Sequence, residues 1–135
     1  MSESENQLER LLEIMRRLRG PGGCPWDRKQ SSDSIKMYAI EEAYEVVEAI
    51  ESGSISALEE ELGDLLLQVV FHAQMQSEAG RFDFEDVARG ISEKLVRRHP
   101  HVFGHMVVSG SDEVLTNWDA IKRQERAAKG EVMGV

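Results

Sequence analysis

The chain has 135 residues, which suits one domain, and a net charge of −9, which opposes the basic face that a duplex nucleic-acid binder needs to neutralise phosphates. Hydrophobic residues make up 41% and charged residues 30%, enough for both a core and a hydrated surface, and no run approaches the roughly 18 uncharged apolar residues of a membrane span. The charged N-terminus lacks the apolar stretch of a secretory signal, and the single cysteine, Cys24, allows no intrachain disulfide, so a reducing cytoplasm is the expected compartment.

Leu8, Leu11, Leu12, Met15 and Leu18 recur at three- and four-residue steps and predict a first helix over 4–19, stopped by Gly20-Pro21-Gly22-Gly23. A loop is expected from Cys24 to Ser32. A second helix is predicted over 33–52, capped by Asp33 or Ser32 and ended by Gly53. A third spans 55–79, with Ser56 and Glu59 at capping-box spacing and Gly80 placed to end it. A fourth covers 84–98, with Asp83 as cap, Val87, Ile91 and Leu95 as its inner stripe, and Pro100 beyond its end. A Gly- and Ser-containing stretch over 104–111 leads to a last helix, 112–127, carrying Val114, Leu115, Trp118 and Ile121, with fraying expected after Ala128. No strand pattern or internal repeat is visible, so the fold class is all-α, a bundle of four to five helices.

The third helix bears on assembly. From Leu62 to Met75 its only polar side chains are Asp64, Gln68, His72 and Gln74. At about 100° per residue, apolar side chains surround most of its circumference. Four or five helices of this length do not easily cover such a surface, so a partner subunit is expected: a homodimer or higher homo-oligomer built by symmetry.

Charge is unevenly placed. From Asp33 to Asp64 there are ten acidic side chains and one basic one, Lys36, whereas Lys94-Leu95-Val96-Arg97-Arg98 carries three cations in five residues. Separate acid and base patches suit a metal-bound polyphosphate; a solvated acidic face and a basic helix end account for the same counts.

The acid patch is the more informative. On the second helix Tyr38, Glu41, Glu42, Glu45 and Glu48 share one side, opposite Ile35, Ala39, Ala43, Val46, Val47 and Ile50. On the third, Glu61 and Asp64 are three apart and point the same way, on a narrow polar strip with Gln68 and His72. Carboxylates beside so apolar a helix are costly unless paired, and no lysine or arginine occurs between Lys36 and Arg81. A metal ion is the economical partner. E-x-x-E and E-x-x-D offer only oxygen, which suits Mg2+ first and Mn2+ second; a di-iron bundle would use E-x-x-H, and a lone cysteine is no zinc framework. His72 reads as a packed or hydrogen-bonded core residue.

With these residues in view, the sequence resembles the MazG family of all-alpha nucleoside triphosphate pyrophosphohydrolases. The resemblance runs through Gly23-Cys24-Pro25-Trp26-Asp27, Glu41-Glu42-Ala43-Tyr44-Glu45, Glu61-Leu62-Gly63-Asp64-Leu65-Leu66, Gly80-Arg81-Phe82-Asp83 and Lys94 to Phe103. It implies hydrolysis of a nucleoside triphosphate to monophosphate and pyrophosphate. It also implies a metal set at Glu42, Glu45, Glu61 and Asp64, and nucleotide contacts at Lys94, Arg98, Trp118 and Lys122, with Tyr38 and Glu41 bordering the nucleotide. Some members carry two copies of the domain; this sequence contains one.

Within that resemblance, Lys94 and Arg98 are expected to meet charge on the phosphates, and Glu41 to orient or deprotonate the attacking water or to serve as a further ligand. Trp118 stacks on the base or packs beside Ile121. Tyr44, Met37 and Met75 are assigned to packing, and Pro25-Trp26 to packing of the loop onto the first helix, with a substrate role as the alternative. The rival functions are a sister pyrophosphohydrolase acting on dUTP or phosphoribosyl-ATP, and a non-catalytic helical interaction module.

Overall fold

The computed structural model describes residues 6–130, so residues 4 and 5 of the first predicted helix and the tail beyond 130 lie outside the described part. Within it the chain forms α1 (Gln7–Arg19), α2 (Pro25–Lys29), α3 (Ser32–Ser52), α4 (Ile55–Glu78), α5 (Phe84–Arg98), α6 (Pro100–Phe103) and α7 (Ser111–Lys129). The fold is all-α as expected, with seven helices among the described residues in place of four or five. The additions are α2, of five residues, and α6, of four, each opened by a proline. Proline suits that position because its missing N–H has no helical acceptor there and its φ is already helical.

The helix starts differ in detail from the expected caps. Ser31 opens α3 in a reciprocal box with Ser34, not Ser32 or Asp33, which already lie inside the helix. Ser54, not the Ser56 and Glu59 pair, caps α4 by accepting from the Ala57 N–H at 3.2 Å. The physical reason is Gly53, which closes α3 in the left-handed region at φ 74°. The chain restarts one residue later, and Ser54 is the extended residue that the first turn can use.

Two compact units divide the chain, one ending at Glu85 and the other beginning at Asp86. In the first, α1 packs on α2 and α4, and α3 lies along α4. Its core is Met15, Ile35, Val70, Phe71 and Met75, with Leu11, Leu12, Leu67 and Phe84 against it. Burying each such side chain stabilises by about 1.5–3 kcal/mol. The α3–α4 pair also leaves Met37, Ile40, Tyr44, Val47, Ile50, Leu62, Leu66 and Val69 exposed. Met75 packs as expected, but Met37 and Tyr44 do not, at 57% and 63% exposure, because they sit away from the α4-facing side of α3.

In the second unit, α5 and α7 are joined by Glu125, which pairs with both Arg97 and Arg98. The start of α7 is held by Glu113, whose carboxylate accepts from the Ser109 N–H and hydroxyl. These backbone and side-chain bonds hold its carboxyl below the usual range.

Candidate metal and nucleotide site

The acidic residues meet because α3 and α4 form a tight antiparallel hairpin. Only Gly53 and Ser54 separate the helices, so residues equally far from the turn come side by side. Glu42 lies eleven residues before Gly53 and Asp64 eleven after it. Glu61, one turn before Asp64, lies on the same face of α4. Carboxylate oxygens of Glu42, Glu61 and Asp64 all come within 4.8 Å of one another, and all three side chains are half-buried.

The electrostatics match this crowding. Burial, then the charges of Asp64, Glu45 and Glu41, pushes the Glu42 carboxyl above the usual carboxylate range. Burial, then Asp64, Glu45, Glu42 and Glu60, does the same to Glu61. Among the described residues no lysine or arginine forms an ion pair with these acids. Glu45 belongs to the same charge cluster, although its oxygens are outside the tight group of three. Glu41 is exposed beside them. An all-oxygen cluster that repels itself and has no ion-pair partner among the described residues fits a hard divalent ion.

Beside the acids is a cavity of about 130 Å³, lined by Met15, Leu18, Trp26, Asp27, Ile35, Tyr38, Leu67, Gln68 and Phe71. Tyr38 is one turn before Glu42 and Gln68 one turn after Asp64, so the cavity continues the acid faces of both helices. The Gln68 Oε1 atom is buried without a hydrogen-bond partner. Trp26 stands edge-on to Phe71, with ring centroids 6.5 Å apart, yet remains 48% exposed. Packing against α4 is thus part of its role, and an open face remains. Sequence reasoning gives Gln68 no role, because one amide on a polar strip carries no motif. His72 is hydrogen-bonded as expected, its Nδ1 lying 3.0 Å from the Ser32 hydroxyl.

The basic residues belong to the second unit. Lys94 and Arg98 on α5 and Lys122 on α7 line a pocket of about 190 Å³ together with Glu125, Arg126 and Lys129. Lys122, Arg126 and Lys129 form one stripe at four- and three-residue steps, a signal that is present in the sequence. Trp118 lies edge-on to His99 at 5.1 Å, and its Nε1 is buried without a partner.

Comparison with known proteins agrees with these features. Residues 30–103 match the model of the MazG nucleotide pyrophosphohydrolase domain. The chain is 54% identical over 127 residues to the nucleoside triphosphate pyrophosphohydrolase of Escherichia coli, covering 93% of this chain and 48% of that protein. It is 50% identical over 129 residues to the nucleoside triphosphate pyrophosphohydrolase/pyrophosphatase MazG of Thermotoga maritima, covering 96% and 49%. It therefore spans about half the length of these curated relatives. Among solved structures, a mazG-related protein from Thermotoga maritima superposes with a TM-score of 0.69 at 33% identity, over 85% of this chain and 98% of that one. With the family model matching residues 30–103, more than half of the chain, and a solved relative superposing over 85% of it, the chain belongs to the MazG nucleotide pyrophosphohydrolase domain family.

Proposed function

We propose that the protein hydrolyses nucleoside triphosphates to nucleoside monophosphate and pyrophosphate, with Mg2+ or in its place Mn2+ held by Glu42, Glu45, Glu61 and Asp64. The observation that carries this reading is the convergence of three carboxylates within 4.8 Å, with no lysine or arginine among the described residues paired to them. When bound, a divalent ion there supplies charge stabilisation to phosphoryl oxygens. The residues of the chain do the rest. Glu42, Glu61 and Asp64 fix the ion from two helices, and Glu45 deepens the local negative potential. Glu41, exposed beside them, orients the attacking water and accepts its proton; its rival role is that of a further ligand.

In the same reading Lys94, Arg98 and Lys122 bind the polyphosphate, Lys94 as a point charge and Arg98 through a planar fork. Tyr38 borders the nucleotide. Two places suit the base. One is Trp118, which offers an indole face beside His99. The other is the cavity of Trp26, Tyr38 and Gln68, whose buried amide oxygen is unpartnered and suits a ring or amino N–H. The sequence from 1 to 135 acts as one catalytic domain in a homodimer or higher homo-oligomer, in the cytoplasm, as a housekeeper of nucleotide pools.

The experiment is a panel of canonical and modified triphosphates, with dUTP and phosphoribosyl-ATP included, assayed with Mg2+ for monophosphate and pyrophosphate. Joint release of both products from nucleoside triphosphates is expected. Turnover of dUTP or phosphoribosyl-ATP alone would favour a sister activity, and no turnover of any compound favours an interaction module. No helix of the described residues is long and apolar enough to cross a membrane.

A further inference from the structure

We propose that Glu125 is a positioning residue for triphosphate binding, holding the guanidinium of Arg98 in place at the basic pocket of the second unit. The proposal rests on the reading that this pocket receives the polyphosphate. Glu125 is the one acid among its lining residues, facing Lys94, Arg98, Lys122, Arg126 and Lys129.

A carboxylate in an anion-binding pocket is at first sight misplaced, since it repels the ligand that the cations attract. Its contacts explain it. Oε1 accepts from Arg98 Nη2 at 2.9 Å, and Oε2 accepts from Arg97 Nε at 2.5 Å. Both oxygens are thus engaged by consecutive arginines of α5, and Glu125 itself, on α7, keeps only 15% of its side chain exposed. Arg97 is the outer partner, 48% exposed, and Arg98 the inner one, at 24%. The two bonds hold the carboxyl far below the usual range.

An unrestrained arginine samples many rotamers, and ordering it weakens each binding event. Fixing Arg98 by one Nη nitrogen removes that freedom beforehand and leaves the other Nη to meet a phosphate oxygen. The Nε of Arg98 is buried without a partner, so the side chain is held by Glu125 at a single point and not by a closed network. Two effects therefore oppose each other. If repulsion dominates, removing the charge of Glu125 tightens anion binding. If positioning dominates, removal weakens it despite the gain in net positive charge.

The sign of the change is the test. Calorimetric titration of the whole chain with inorganic triphosphate, without added metal, would compare wild type, E125Q, R98A and the double variant. The expected result is a loss of about tenfold in affinity for E125Q, the scale of a charge-assisted hydrogen bond. That loss should vanish in the R98A background, as it must if Glu125 acts through Arg98. E125D keeps the charge but is too short to span both arginines, and is expected to fall between wild type and E125Q; it also carries the test if E125Q does not fold. Unchanged or tighter binding by E125Q, or by E125D in that event, overturns the proposal. So does a loss that persists undiminished without Arg98, which marks a merely structural role. If R98A alone binds triphosphate like wild type, the reading of the pocket itself has failed.

Discussion

Arg19 grips Glu78 at two points, Nε to Oε2 at 2.9 Å and Nη2 to Oε1 at 2.8 Å, while its remaining nitrogen donates to the carbonyls of Asp27 and Gln30. One guanidinium, 9% exposed, ties the end of α1 to the end of α4 and to the segment carrying Trp26. Lysine cannot reproduce this fork. Glu78 is 38% exposed, so solvent screening limits the pair, and we expect Arg19→Lys to cost about 1–2 kcal/mol. Thermal unfolding followed by circular dichroism should show a fall of several degrees. Arg16→Ala, which removes an exposed pair with Glu13, should change little; equal effects from the two would mean that the fork has no special weight.

The acid cluster gives the second prediction. Changing Glu42, Glu45, Glu61 or Asp64 to the matching amide should lower turnover by at least about 10²-fold, the scale of a lost electrostatic contact, with the fold retained. Millimolar Mg2+ should raise the melting temperature of wild type, as a ligand taken up by the folded state alone would, and should not raise that of Glu61→Gln. Full activity of any two amide variants, or of wild type in excess chelator, would remove the metal assignment.

How much of this is legible in sequence depends on length and repetition. The long helices declare themselves, because Leu8 to Leu18 and Leu62 to Met75 repeat their pattern over several turns. Pro25–Lys29 and Pro100–Phe103 are barely one turn each, too short for any period, and read as loop and helix end. Caps are ambiguous where serines crowd: Ser31, Ser32 and Ser34 offer equivalent chemistry, as do Ser54 and Ser56, and the extended backbone at Ser31 and at Ser54 decides between them. The carboxylates are readable because two motifs point the same way on adjacent helices. Glu125 is not, since α7 carries four acids and four bases, and nothing in one dimension shows which acid meets which cation.

Assembly supplies a third prediction. Ile40, Tyr44 and Ile50 are 60–63% exposed on α3, next to Leu62 at 48% on α4. Exposed apolar side chains gathered on one face are the kind of surface that subunits bury against each other. Sedimentation at micromolar concentration should therefore show a dimer or larger species with little monomer. Tyr44→Glu with Ile40→Glu should shift it towards monomer; a stable wild-type monomer would mean that the face serves another purpose.

Acid should loosen the second unit. The folded Glu125 carboxyl is lowered from 4.5 to about 2, chiefly by its bonds to Arg98 and then Arg97. A depressed carboxyl stabilises the fold above its unfolded value and loses that contribution as pH falls through the folded one. The gain is thus full above about pH 4.5 and lost towards pH 2. Glu125→Gln should flatten this part of the stability profile, measured by acid titration of the far-ultraviolet signal. An unchanged acid limb would show that the two ion pairs are too well screened to matter.

Base placement gives the last prediction. If the cavity of Trp26 and Gln68 receives the base, Trp26→Ala should weaken nucleoside triphosphate binding by about 1–3 kcal/mol, the scale of a stacking contact, and leave inorganic triphosphate unaffected. If the base stacks on Trp118, Trp118→Ala should show that pattern instead. Calorimetry with a non-hydrolysable nucleotide and with inorganic triphosphate separates the two.

The two-residue turn at Gly53 and Ser54 also makes the site a matter of counting. Each residue added to a helix turns the remainder of that helix by about 100° and advances it by about 1.5 Å. One extra residue between Glu45 and Gly53 would swing Glu42 off the face that meets Asp64 and leave both acidic motifs intact as text. The distance between the motifs is therefore as much a determinant of the acid cluster as the carboxylates themselves. Drift in this chain should be tolerated at the residues of the turn before it is tolerated in their number.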